Sequence, residues 1–239
     1  MILALILLVV ILVVGYFFLK QQKENFNYVK IDTEGSNLEV EYSQEELNGE
    51  WTDYTAKITL DDTKTTIEGK GVTNSGNTII IQSAGTYYIT GSISDGNILI
   101  QAGKDDDVQL VLDNVAITST TTAPINGVTA NKLTMTLAEG SVNTVTDSSS
   151  YTTFTDQESL EPDGAIFTKT DLVINGTGKL IVNANYSDGI VSKDGLKIVN
   201  SNIEIYSEDS ISSKGLKAGT ELTIDSGTIQ IVSTEYSLK

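Results

Sequence analysis

The chain has 239 residues, a formal net charge of −17, no cysteine and no histidine, and all 15 of its basic residues are lysine. These absences exclude a disulfide framework, thiol chemistry, a Ser-His-Asp triad, a histidine zinc site and a bidentate arginine clamp. So acidic a surface repels nucleic acid and attracts cations, and it also serves solubility.

The run from Ile2 to Leu19 is apolar apart from Gly15 and Tyr16 and ends at Lys20. That length reaches a membrane span and lacks an A-x-A cleavage site. Residues 1–20 are therefore expected to be an uncleaved transmembrane anchor rather than a cleaved signal. The protein is then held at the membrane through residues 2–19, on the extracellular face or cell surface. Lys20 and Lys23 lie on the wrong side for the positive-inside rule. Residues 21–50 are polar and acidic and read as a linker, with one short turn between Ser43 and Leu47. The folded domain is expected over residues 51–239. Its first strands are Ala56 to Leu60, Thr78 to Gln82, Thr86 to Thr90 and Asn97 to Gln101. Asn74-Ser75-Gly76, Ala84-Gly85 and Ser94-Asp95-Gly96 supply their turns, and Asp105-Asp106-Asp107 reads as another.

From Leu110 a line repeats with drift. Alternating apolar runs begin at Leu110, Leu133, Leu172, Leu196 and Leu222, each followed by a polar corner such as Asp113-Asn114 or Asn175-Gly176. One such repeat cannot bury its own apolar face, so it must stack on the next. The expected fold is all-β: a right-handed parallel β-helix with three short strands per turn and the five leucines inward. A propeller fits the repeat length less well. The chain ends as a further turn begins at Thr234, which suggests a C-terminus cut short. Asp147 to Pro162 interrupts one turn and projects from a single face. There Tyr151 and Phe154 are candidates to stack on sugar rings, with Asp156 and Glu158 as hydroxyl acceptors or metal ligands. A solvated loop is the plainer reading.

Asp163, Asp188 and Asp209 fall at one phase of the repeat, followed by Lys169, Lys193 and Lys214. Equivalent positions on stacked strands lie about 4.8 Å apart. Carboxylates at that spacing repel unless a cation sits between them. Ca²⁺ suits such a column, with Asp163 and Asp188 sharing one ion and Glu161, Asp171, Asp194 and Glu208 completing the shell. The alternative is that these aspartates form turns through Asx hydrogen bonds.

The stretch from Gly71 to Ile125, opening GVTNSGNTIIIQSAGTYYITG, and the stretch from Glu161 to Ile198, opening EPDGAIFTKTDLVING, resemble a bacterial carbohydrate-binding family. The resemblance covers roughly residues 51–232. It implies a polysaccharide-lyase-like parallel β-helix in secreted or surface proteins that bind cellulose or acidic polysaccharides, carry calcium on acidic positions and are not established as lyases. The family repeat Asp-Asp-Gly-Ile-Lys is altered here: Ser187 precedes Asp188, Val191 stands in the lysine position and Ser210 replaces glycine. The resulting expectation is a non-catalytic, calcium-stabilised polysaccharide binder, with Lys169 and Lys193 among the sugar contacts. Two other readings stay open: a pectate-lyase-like β-eliminase using Ca²⁺ and one of those lysines as base, and a purely structural surface solenoid.

Overall fold

The computed structural model describes residues 27–33, 42–43, 46–47, 49–207 and 213–233. Among the described residues, twenty strands carry the fold. The alternation that marks them in sequence becomes alternation in burial: in β2 (Ala56–Leu60) and β7 (Asn97–Gln101), every second side chain enters the core. β1 spans Asn27–Thr33, β3 Thr66–Gly69, β4 Val72–Ser75, β5 Thr78–Ile81 and β6 Gly85–Ile93. β8 is the longest, Asp107–Thr118, followed by β9 (Ile125–Thr129), β10 (Lys132–Leu137) and β11 (Val142–Thr146). The later turns are β12 (Gly164–Thr168), β13 (Asp171–Asn175), β14 (Lys179–Asn183), β15 (Asp188–Ser192), β16 (Leu196–Ile198) and β17 (Ser201–Ser207). β18 (Leu216–Ala218), β19 (Leu222–Ile224) and β20 (Gly227–Ser233) close the series.

These strands form two hydrogen-bonded sheets. The first has 13 strands in the order β1-β20-β17-β14-β11-β8-β10-β13-β16-β19, with β2, β3 and β6 joined beside β8. The second has seven, β18-β15-β12-β9-β7-β5-β4. Stacked neighbours are mostly parallel, and the core columns run across them. Ile98, Ile125, Ile166, Ile190 and Leu216 are consecutive partners in the second sheet and are all fully buried. Each such side chain contributes about 1.5–3 kcal/mol of burial.

This architecture corrects the expected right-handed parallel β-helix of three short strands per turn. Two of the expected faces are one continuous sheet that curls into a nearly closed, mostly parallel wall. The join lies at the first corner. β8 runs on through Asn114 (φ 54°), opposite an irregularity at Thr90/Gly91 of β6, whereas at Asn200, also left-handed (φ 48°), the strand breaks. Its first half pairs with β10 and its second half with β11. Among the described residues, β1–β20, β2–β3 and β4–β5 pair antiparallel, and the last makes the second sheet mixed. The β4–β5 hairpin turns through Gly76 at φ 61°, where a side chain would be strained.

The leucines do point inward: Leu110, Leu133, Leu172 and Leu196 are fully buried, and Leu222 packs against the core. Leu133, Leu172, Leu196 and Leu222 are ladder partners in order. Leu110 instead opposes Met135, because the partner of Leu133 in β8 is Val108. The expected membrane helix over residues 2–19 lies outside the described residues; among those described, no helix is long and apolar enough to cross a membrane. The element observed in the expected linker is β1, which pairs along the outer edge of β20.

Candidate functional site

The acidic column is real as a cluster, but the register differs from the repeat alignment. Gly164, not Asp163, opposes Asp188. On the next turn the backbone of Lys214 stands beside Asp188, and its N–H donates to Asp188 Oδ1 at 2.8 Å. Asp209 and Glu208 lie outside the described residues. Between the remaining carboxylates sit ammonium groups. Lys217 Nζ lies 2.8 Å from Asp163 Oδ2 and 2.9 Å from Asp188 Oδ2. Lys193 Nζ lies 3.3 Å from the same Asp163 oxygen and 3.0 Å from Glu161 Oε1. Lys169 Nζ meets Glu161 Oε2 at 2.8 Å and Asp156 Oδ2 at 3.7 Å.

The electrostatics follow from those contacts. Burial pushes the Asp163 carboxyl up, but the hydrogen bond from Lys217 and the charges of Lys217 and Lys193 outweigh it and hold the group below the ordinary range. Burial likewise opposes ionisation of Glu161, and Lys169 and Lys193 overcome it. Lys169 is raised, first by its hydrogen bond to Glu161. Burial pulls Lys217 down, but its bonds to Asp163 and Asp188 leave it raised. Asp171 and Asp194 are corner residues: Asp171 Oδ1 accepts the Gly195 N–H at 2.9 Å, and Asp194 Oδ1 accepts the Thr220 hydroxyl at 3.0 Å. A metal ion does not fit between Asp163 and Asp188 as they stand, because the Lys217 ammonium already contacts the facing oxygen of each. Among the described residues, no group of three or more acidic side chains is arranged to hold a metal.

The inserted loop does not project its aromatics as expected. Tyr151 is only 6% exposed, and its ring stacks on Tyr186 at 4.0 Å and 12°. Phe154 packs on both rings, and the group covers Phe167, Val191 and Ala123 on the outer side of the seven-stranded sheet. The Tyr151 hydroxyl donates to Asp147 Oδ2 at 2.7 Å. Asp147 is 3% exposed, and burial pushes its carboxyl up to about 6 against the hydrogen bonds from Asn185 and Tyr151. The sequence-predicted stacking platform is therefore the loop's own core. Asp156 caps a turn, accepting the N–H groups of Glu158 and Ser159. Glu158 remains on the surface.

An aromatic face that the sequence reading passed over lies on the outer side of the 13-stranded sheet. Trp51, the only tryptophan, sits 5.1 Å from the ring of Tyr88. Tyr54, 43% exposed, stacks on Tyr88 at 5.9 Å and 27°. The segment leads into β2, and the Thr55 N–H, which donates to Thr86 O at 2.7 Å, extends the β2–β6 ladder. Before it, Ser43 and Glu46 form a reciprocal capping pair: the Ser43 N–H donates to Glu46 Oε2 and the Glu46 N–H to Ser43 Oγ. Glu46 is in turn gripped by Lys132 and Lys197, each at 3.5 Å. Tyr88 is held by its hydroxyl, which donates to Asp113 and is pushed up to about 12 by that bond first and by burial second.

Shallow depressions of about 420 and 340 Å³ flank Trp51 on either side. A ladder of hydroxyls and amides runs from Thr86 and Gln109, which line the second depression, to Thr136 and Asn175, which are buried. The Thr86 hydroxyl donates to Gln109 Oε1 at 2.9 Å, Gln109 Nε2 to Thr136 Oγ1 at 2.9 Å, and the Thr136 hydroxyl to Asn175 Oδ1 at 2.7 Å. Exposed ring faces beside fixed polar groups suit a ligand with both C–H faces and hydroxyl edges. Glu50, Asp53, Asp107 and Glu139 line the rim, so its charge is mainly acidic. The available signal was a Trp-x-x-Tyr pair outside any alternating run, where no core position calls for large rings.

Comparison with known proteins gives the class first. The solved structure of a polysaccharide lyase-like protein from C. thermocellum, a gadolinium derivative, matches with a TM-score of 0.63 and 27% identity, over 77% of this chain and 94% of that one. The architecture is therefore polysaccharide lyase-like. A family model for carbohydrate-binding domain-containing proteins matches residues 75–211, more than half of the chain, and the chain belongs to that family. A carbohydrate-binding domain-containing protein of Acetivibrio thermocellus is 38% identical over 154 residues, which are 64% of this chain and 54% of that protein. The match thus spans about half of that relative's length. Tyr88, the inserted loop and Asp163, Asp188, Glu161, Lys169 and Lys193 of the cluster fall within the family match; Trp51 and Tyr54 precede it and Lys217 follows it.

Proposed function

We propose that this protein is a non-catalytic polysaccharide binder that works outside the cell, and that its ligand lies across the Trp51–Tyr88–Tyr54 face. The observation that carries this is the half-buried Trp51, which lines both depressions and packs on Tyr88, itself stacked with the exposed Tyr54, in a chain of a carbohydrate-binding family. Sugar rings stack their C–H faces on such rings while their hydroxyls pair with the half-buried Thr86 and Gln109. The acidic rim favours a neutral polysaccharide of the cellulose type over a polyuronate, which it repels.

The β-eliminase reading is disfavoured by the lysines it needs. A general base must offer a free lone pair near the working pH. Lys169 is held charged by Glu161, and Lys193 is shared between Glu161 and Asp163. The test is binding of the full chain to insoluble cellulose and, by affinity electrophoresis, to soluble neutral glucan and to polygalacturonate. Retention by the neutral polymers, lost in Trp51→Ala, is expected, together with no unsaturated uronate absorbance from polygalacturonate. Retention unchanged in Trp51→Ala, or product formation, contradicts the proposal.

A further inference from the structure

The lysine–carboxylate cluster has a consequence for how successive turns are joined on the outer side of the seven-stranded sheet. Lys217 occupies the β18 position whose ladder partner in β15 is Val191, and Val191 in turn opposes Phe167 in β12. From there its side chain reaches back to Asp188, at the start of β15, and to Asp163, just before β12. The groups alternate in sign along a continuous path: Asp188, Lys217, Asp163, Lys193, Glu161, Lys169. Three cations thus cross three successive turns of the chain. Lys193 also lies 5.5 Å over the Phe167 ring, on which the inserted loop rests.

A divalent ion joining Asp163 to Asp188 would have to take the oxygens that Lys217 already holds. Calcium needs six to eight oxygen ligands at about 2.3–2.6 Å. Here Asp188 Oδ1 is committed to the Lys214 N–H, and both Oδ2 atoms to Lys217. Only Asp163 Oδ1 is without a partner, and it is buried. An ion placed on it would stand beside two ammonium groups, and that repulsion opposes entry.

We propose that Lys217, backed by Lys193 and Lys169, replaces a metal ion in this chain: the ammonium groups bridge the carboxylates of successive turns and pin the end of the inserted loop to the sheet. Stability at this face then responds to loss of a lysine charge and not to calcium.

Thermal unfolding of the full chain tests this, in excess CaCl₂ and in EDTA, for wild type, Lys217→Gln, Lys217→Arg and Asp188→Asn. The quantity read for calcium is the shift in wild type minus the shift in Asp188→Asn, which isolates this pair from ions bound elsewhere; zero is expected. Lys217→Gln should melt about 4 °C lower than wild type, while Lys217→Arg, which keeps the charge, should melt within about 1–2 °C of it. A calcium shift present in wild type and lost in Asp188→Asn overturns the proposal, and so does a Lys217→Gln melt equal to that of wild type. If Lys217→Gln does not fold, the calcium comparison of wild type with Asp188→Asn still decides.

Discussion

Among the described residues two clusters of aromatic rings stand out, and they are put to opposite uses. Tyr151, Phe154 and Tyr186 lie over the seven-stranded sheet with Tyr151 almost wholly buried, and they fix a loop. Trp51, Tyr54 and Tyr88 lie over the 13-stranded sheet; Tyr54 is 43% exposed, and Trp51 lines two depressions. The difference comes from what each has beneath it. The first sits on Phe167, Val191 and Ala123, an apolar patch on the outer side of its sheet, so burying rings there removes apolar surface from water. The second borders Thr86, Gln109 and Thr136, already paired among themselves, which give rings nothing to sink into. An aromatic residue in a long loop is thus no better a ligand contact than one in a short segment laid flat on a sheet; the surface below decides.

The largest effect expected from breaking this contrast is on stability. Tyr151→Ala should cost about 3–5 kcal/mol in urea unfolding, as for other buried aromatic truncations. Polysaccharide affinity, measured on the fraction still folded, should not change.

A smaller effect separates the clusters by pH. The Asp147 carboxyl beneath Tyr151 is raised by burial to about 6, above its ordinary value of 3.8. A raised carboxyl contributes stability that is fully present below the unfolded value and is lost as pH rises through the folded one. Stability should therefore fall between about pH 4 and pH 6 by about 2 kcal/mol from this group, and Asp147→Asn should flatten that slope. Binding at the Trp51 face should show no step in this range that the stability does not explain. Denaturant unfolding and binding, both measured from pH 4 to pH 8, check the two halves.

The smallest effect is at the rim of the open cluster. Tyr54→Ala removes one exposed ring from the stack and should weaken neutral-glucan binding about threefold, under 1 kcal/mol, with a melting temperature close to that of wild type. A tenfold loss would move the centre of the site from Trp51 to Tyr54.

Much of the fold was legible because alternation and recurrence are physical requirements. Leu133, Leu172, Leu196 and Leu222 recur because each must cover the one before it, and they are ladder partners as a result. What stayed hidden depended on pairing. Asp113-Asn114 reads as a corner, and Asn114 and Asn200 are left-handed alike; only the ladders to β10 and β11 tell that β8 continues through its corner and merges two faces into one sheet. The acidic cluster was legible in composition but not in register: a one-residue offset sets Gly164 against Asp188, and Lys217 fills the space between the carboxylates. The open aromatic face was missed because Trp51 was read only as the first residue of a domain. Its partner Tyr88 is 37 residues further along, in a strand whose alternation looked complete.

The central claim is that ligand binding belongs to the Trp51 face and not to the inserted loop. The direct measurement is the affinity of the full chain for a soluble neutral β-glucan in wild type, Trp51→Ala, Tyr88→Phe and Phe154→Ala. Trp51→Ala should weaken binding at least about tenfold, equivalent to 1.4 kcal/mol. Tyr88→Phe keeps the ring but frees Asp113, and should weaken binding less; Phe154→Ala should leave the affinity of the folded protein unchanged. Full affinity in Trp51→Ala, with the loss appearing instead in Phe154→Ala, would contradict the account.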